Sequence, residues 1–85
     1  MTIRVLYFAW VLERIGAGEE TVEPPPAVTT VATLIDWLAP RSEGHARAFA
    51  DRTRLRAAVD QVFVGLDAPL GHPREVAIFP PVTGG

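Results

Sequence analysis

One segment of this chain carries a long amphipathic helix pattern, whereas most of its other apolar residues alternate with polar ones. Val31, Leu34, Ile35 and Leu38 fall at i, i+3, i+4 and i+7 and so form a single stripe. Thr29 or Thr30 stands where a cap belongs, and Pro40 closes the segment. One stripe covers one side of a sheet. The 85 residues leave room for one core only, so the expected architecture is α+β, with one main helix packed on one face of a mixed sheet.

The alternating segments supply the strands. Ile3, Val5 and Tyr7 alternate with Arg4, Leu6 and Phe8, which makes 2–8 a strand. Val11, Leu12 and Ile15 then recur at helical spacing before Gly16, which predicts a short helix over 10–15. Residues 19–23 read as a second strand ended by Pro24, Pro25 and Pro26, so the first two strands form a hairpin with a helical insertion. Ala57 and Val59, then Val62, Val64 and Leu66, alternate around a tight turn at Asp60-Gln61. Residues 67–73 contain Pro69, Gly71 and Pro73 and read as loop or a single helical turn; 75–79 is the last strand, stopped by Pro80 and Pro81. Between 41 and 55 the chain is polar and arginine-rich, with Ala46, Phe49 and Ala50 as the expected anchors of a further helical turn.

Period two has a consequence for the uncovered side. If Val5, Val59, Val64 and Ile78 face the helix, then Leu6, Phe8, Phe63 and Phe79 share the opposite face. Soluble monomers rarely leave such a patch bare, so either a partner protein docks there or the sheet ends curl and the short helix or loop 67–73 covers it.

Composition removes several function classes. With no cysteine, the chain has no disulfide framework, thiolate metal site or side-chain thiol nucleophile. All 8 basic residues are arginine, so no side-chain amine is available for a Schiff base or an isopeptide acceptor. A net charge of −2 gives no general attraction to nucleic acid or anionic membrane. No apolar run approaches the ~20 residues of a membrane span, and no signal-like segment opens the chain, so a cytoplasmic location is expected.

The end of the sequence is its most suggestive chemistry. Pro80-Pro81-Val82-Thr83-Gly84-Gly85 has no apolar periodicity, which divides the chain into a domain, 1–80, and a projecting tail, 81–85. Four residues beyond Pro81 span roughly 13–14 Å when extended. Gly84 and Gly85 lack Cβ atoms and can thread a narrow channel. The reacting atom there would be the Gly85 carboxyl carbon. A carboxylate is a poor electrophile until activated; adenylation by ATP supplies a leaving group, and a sulfur nucleophile can then displace AMP to give a thiocarboxylate.

Three stretches carry a resemblance. Val5-Leu6-Tyr7-Phe8-Ala9, Ala57-Ala58-Val59-Asp60-Gln61 and Glu75-Val76-Ala77-Ile78-Phe79-Pro80-Pro81-Val82-Thr83-Gly84-Gly85 resemble the family of small, sulfur-carrier subunits of molybdopterin synthase. The resemblance implies a ubiquitin-like β-grasp fold and a tail acting through Gly84 and Gly85. It also implies an adenylating activating enzyme that binds the ATP, a sulfurtransferase as sulfur source, and docking on a large subunit, in a heterotetramer, through Leu6, Phe8, Phe63, Phe79, Pro80, Pro81, Val82 and Thr83. No stably bound cofactor is implied, only the C-terminal thiocarboxylate or a transient acyl-adenylate. The chain would be a cosubstrate rather than a freestanding enzyme. Two positions depart from the family pattern: Asp60 where asparagine is common, and His72-Pro73-Arg74-Glu75 where the family has Asp-Gly-Asp-Glu.

Competing readings share parts of this pattern. A related carrier for thiazole synthesis or tRNA thiolation would use the same terminus, a ubiquitin-like modifier would form an isopeptide through Gly85, and a plain interaction module would use neither. His45 and His72 stand alone and read as solvated loop residues rather than metal ligands. Arg47, Arg52, Arg54 and Arg56 read as a solvated face or a basic patch, and Trp10 and Trp37 as core-edge residues. Ser42, the only serine, has only His45 and Glu43 nearby in sequence and no hydrolase pattern.

Overall fold

The computed structural model describes residues 1–81. The alternating segments form β1 (Ile3–Tyr7), β2 (Glu19–Val22), β3 (Arg56–Val59), β4 (Val62–Val64) and β5 (Glu75–Phe79), joined by α1 (Ala9–Ile15), α2 (Val31–Leu38) and α3 (Glu43–Ala48). The strands make one mixed sheet in the order β2-β1-β5-β3-β4. Only the β1–β5 pair is parallel. The final strand in sequence is therefore the middle strand in space. Leu66 lies beyond the end of β4, so the last strand of that hairpin is shorter than the alternation suggests.

Local chemistry explains where the elements begin and end. α1 stops at Gly16, whose φ of 88° lets its N–H reach the Leu12 carbonyl at 2.7 Å. Thr30 caps α2: its Oγ accepts the Thr33 N–H at 3.1 Å, and the Thr33 hydroxyl oxygen accepts the Thr30 N–H at 2.9 Å. Asp60 and Gln61 have φ values of 47° and 70°, the two left-handed residues that a two-residue hairpin loop needs. Asp60 also ties that hairpin to β5, since its Oδ1 accepts the N–H groups of Arg74 at 2.9 Å and Glu75 at 3.1 Å. The two departures from the family pattern are thus bonded to each other.

The core lies between one face of the sheet and the helices. Ile3, Val5 and Tyr7 of β1 and Val76 and Ile78 of β5 are buried against Val31, Leu34, Ile35 and Leu38 of α2. The helical layer is larger than one helix: α1 and α3 pack on each other, and Val11, Ala48 and Phe49 join the core. A Cβ on Gly44 would collide with the Arg14 carbonyl, so glycine permits the close approach of α3 to the end of α1.

α2 ends at Leu38, as expected, and Pro40 sits in the 3-10 turn Ala39–Arg41 that follows, because proline tolerates a first helical turn. Two expectations are corrected here. The segment after that turn is anchored by His45, Ala48 and Phe49, while Ala46 and Ala50 are exposed. Loop 67–73 does not fold over the second sheet face. The Leu70 N–H bonds the Thr29 carbonyl at 2.9 Å and the Val31 N–H bonds the Ala68 carbonyl at 3.1 Å, which holds the loop against the start of α2. Among the described residues, no helix is long and apolar enough to cross a membrane.

Candidate functional site

The second sheet face is a groove built from the register of four strands. Leu6 pairs with Ala77, Ala77 with Ala58 and Ala58 with Phe63, so these four side chains run in one row across the sheet. The alanines leave the middle of the row low. Phe8, Phe63 and Phe79 rise around it, giving an open hollow of about 800 Å³. Phe63 and Phe79 pack with ring centroids 5.7 Å apart, yet Phe63 remains 80% exposed and Phe8 48%. The partition expected from period two holds: Val5 and Ile78 are fully buried under the helices, and Val59 and Val64 partly so.

The groove lies where the chain leaves the sheet. Because β1 and β5 are parallel, Phe8 and Phe79 emerge at the same end, and Pro80 and Pro81 continue along the groove wall. Ala9, on the same wall, has a φ of 53°, a left-handed conformation that costs an L residue roughly 1–2 kcal/mol. This bend turns the chain from strand to helix immediately after Phe8 and keeps Phe8 at the mouth of the groove. Of the residues expected to form an interface, Leu6, Phe8, Phe63, Phe79, Pro80 and Pro81 line one hollow. Val82, Thr83, Gly84 and Gly85 lie outside the described residues.

A polar network on the opposite side of the sheet escaped the sequence reading. His45 is buried, 5% exposed, rather than solvated. Its Nε2 lies 2.7 Å from Glu20 Oε2 and its Nδ1 2.7 Å from Ser42 Oγ, while the Tyr7 hydroxyl donates to the same Glu20 oxygen at 2.6 Å. Burial tends to raise the Glu20 carboxyl, but the hydrogen bonds from His45 and Tyr7 and the charges of His45 and Arg41 outweigh it and hold the group below the usual range. Burial first, then the bond to Glu20, push the Tyr7 phenol well up.

Ser42, His45 and an acid therefore do meet, although the acid is Glu20 of β2 and not Glu43. The serine oxygen is engaged as the cap of α3, accepting the His45 N–H at 3.1 Å, so the arrangement braces α3 against β2. The signal in the sequence was the three-residue spacing of Ser42 and His45, which places the imidazole beside its own cap.

The basic stretch is divided by the fold. Arg52 bonds Asp36 and the Phe49 carbonyl, both at 2.6 Å, and is structural. Trp37 is half-buried with the Arg41 guanidinium 5.5 Å from its ring centroid, and Trp10 is half-buried at the rim of the groove. Among the described residues, no three histidine, aspartate or glutamate side chains cluster as a metal site would require.

Comparison with known proteins gives a consistent picture. The ThiS family model matches residues 5–85. The chain is 43% identical over 83 residues to the molybdopterin synthase sulfur carrier subunit of Escherichia coli (strain K12), an alignment spanning 98% of this chain and 99% of that one. A solved structure from Pyrococcus furiosus described as a molybdopterin converting factor, subunit 1, superposes with a TM-score of 0.74 at 27% identity, covering 96% of this chain and 99% of the other. SAMP1 from Haloferax volcanii superposes with a TM-score of 0.71 at 22% identity over 100% of both chains, a likeness of fold. The mixed sheet of five strands with its helices is the ubiquitin-like β-grasp of these neighbours.

Proposed function

This chain belongs to the ThiS family, and from that membership we propose that it serves as the sulfur carrier subunit of molybdopterin synthase. The observation that carries the reading is the bare apolar groove whose wall continues into Pro80 and Pro81, immediately before Val82-Thr83-Gly84-Gly85. A large subunit docked on Leu6, Phe8, Phe63 and Phe79 would receive the chain's last residues at a fixed point of departure. The groove provides position, and Gly85 provides the chemistry.

The chemistry runs in three stages. The Gly85 carboxylate oxygen attacks the α-phosphorus of ATP held by an activating enzyme; pyrophosphate leaves and an acyl-adenylate forms. A sulfurtransferase supplies sulfur at the sulfide level, which attacks the acyl carbon, and AMP leaves with the electron pair of the broken C–O bond. The resulting thiocarboxylate sulfur then bonds to a carbon of the pterin precursor in the large subunit's site, displacing an oxygen substituent that leaves with the electron pair of the broken C–O bond. Hydrolysis of the acyl–sulfur bond returns the Gly85 carboxylate. In this reading the precursor becomes a dithiolene, which contains two sulfurs, so two carrier turnovers are needed for each product.

Intact mass measurement tests the first half: after incubation with the activating enzyme, ATP and a sulfur source, the chain gains the mass of one sulfur-for-oxygen exchange. Adding the large subunit and the pterin precursor then returns the original mass. A thiocarboxylate that persists in that mixture points to another acceptor, and sulfur transfer by a chain lacking Gly85 refutes the assignment of the reacting atom.

A further inference from the structure

Beside the groove, three guanidinium groups stand without a carboxylate. Trp10, on the groove rim, has the Arg14 guanidinium 4.3 Å and the Arg54 guanidinium 5.1 Å from its ring centroid. Arg56 pairs in register with Phe79, the last residue of β5, and borders a small hollow with Phe63 and Phe79. Arg14, Arg54 and Arg56 are exposed, and among the described residues none is in ion-pair contact with an acid, whereas Arg4, Arg41 and Arg52 each are. In a chain of net charge −2 these three cations stand near one exposed acid, Asp51, which feels the charge of Arg54 without pairing with it, so the patch is net positive.

The contacts these arginines do make orient rather than neutralise them. A guanidinium stacked on an indole uses its face, which leaves in-plane N–H groups to grip a carboxylate; Arg14 spends one of them on the Arg47 carbonyl at 3.4 Å and keeps the others. Arg56 is held by its own backbone surroundings, donating to the Thr53 carbonyl at 3.1 Å and the Leu55 carbonyl at 2.8 Å. With its ring engaged by two guanidiniums, Trp10 is a poor stacking platform for a nucleotide base. The patch adjoins the apolar groove and the point where the chain leaves the sheet.

We infer that Arg14, Arg54 and Arg56 receive an acidic, carboxylate-bearing segment of the protein that docks on the groove, steering it into place before the apolar surfaces close. This rests on the reading that a large subunit covers the groove. The patch supplies charge complementarity and therefore acts on the encounter rate, while Phe63 and its neighbours govern how long the complex lasts.

The test is stopped-flow association of the full chain with the large subunit across ionic strengths. Replacing Arg14, Arg54 and Arg56 together by Gln is expected to slow association at low salt about tenfold or more and to flatten its salt dependence. Phe63→Ala should accelerate dissociation and leave the salt dependence intact. The single variant Arg54→Gln, which removes no hydrogen bond to the fold, should show a partial form of the same change even if the triple variant unfolds. Wild-type binding with an unchanged rate and salt slope in both Arg variants overturns this inference alone. No wild-type binding to the large subunit overturns the functional reading beneath it, and saturable binding of single-stranded RNA by the patch in a parallel titration overturns the choice of an acidic protein segment.

Discussion

Replacing Phe63 by Ala separates docking from folding. Phe63 is 80% exposed, and its ring packs on Phe79 at 5.7 Å. A fully covered aromatic side chain buries about 200 Å², so a partner seated on the groove removes roughly 160 Å² of Phe63 surface from water. At ~25 cal/mol per Å² this amounts to about 4 kcal/mol as an upper bound. Incomplete coverage and side-chain ordering reduce the loss on truncation to about 2–3 kcal/mol, in the usual range of an interface hot spot. That corresponds to a Kd for the large subunit weakened roughly 30- to 150-fold. The fold loses little, about 0.5–1.5 kcal/mol from the ring pair with Phe79. Calorimetric titration against the large subunit, together with urea unfolding of the carrier alone, measures both quantities. Val62→Ala is the internal control: Val62 is 63% exposed on the same edge strand but belongs to the opposite face. Its truncation should weaken binding less than about threefold. Equal losses for the two variants, or a loss at neither, would refute the assignment of the groove as the docking surface.

The other predictions concern the frame that holds the groove. His45→Ala removes the contacts to Glu20 and Ser42 and the ring packing against Tyr7 and Phe49; it should cost about 3 kcal/mol in urea unfolding, and a cost under about 1 kcal/mol would show that the network contributes little. Because the folded carboxyl of Glu20 is held below its ordinary value, its contribution to stability is present above about pH 4.5 and is lost as pH falls through the lower folded value. Stability curves of wild type and Glu20→Gln should therefore converge in acid; a constant gap down to the lowest pH would contradict this. Ala9→Gly relieves a left-handed backbone at a residue with a Cβ and should raise the Tm by a few degrees, at roughly 4–8 °C per kcal/mol for a domain this small; a lower Tm would mean that Ala9 is not strained.

The strands and the main helix were legible because burial on one face imposes a period that the residues themselves display. Val31, Leu34, Ile35 and Leu38 are all fully buried, and the last strand spans the expected residues 75–79. Both faces of the sheet could be assigned from alternation alone, including the row that became the groove. Between 41 and 55 the helical turn and its Phe49 anchor were legible, but Ala48 and His45 were not, since no periodicity scale treats a histidine as core. His45 is buried only because Glu20, 25 positions earlier, supplies an acceptor across the fold. The same holds for the stack on Trp10: Arg14 is at helical spacing from it, but Arg54 arrives through the 3-10 turn Arg52–Arg54, a juxtaposition that tertiary structure alone creates.

The central place of β5 has a mechanical meaning. It is laced to β1 on one side and β3 on the other, so a pull along the chain beyond Phe79 loads two rows of hydrogen bonds side by side instead of opening one row from its end. Any partner that drew on the chain beyond Phe79 would work against the best-secured part of the sheet, and the body of the protein would serve as its handle.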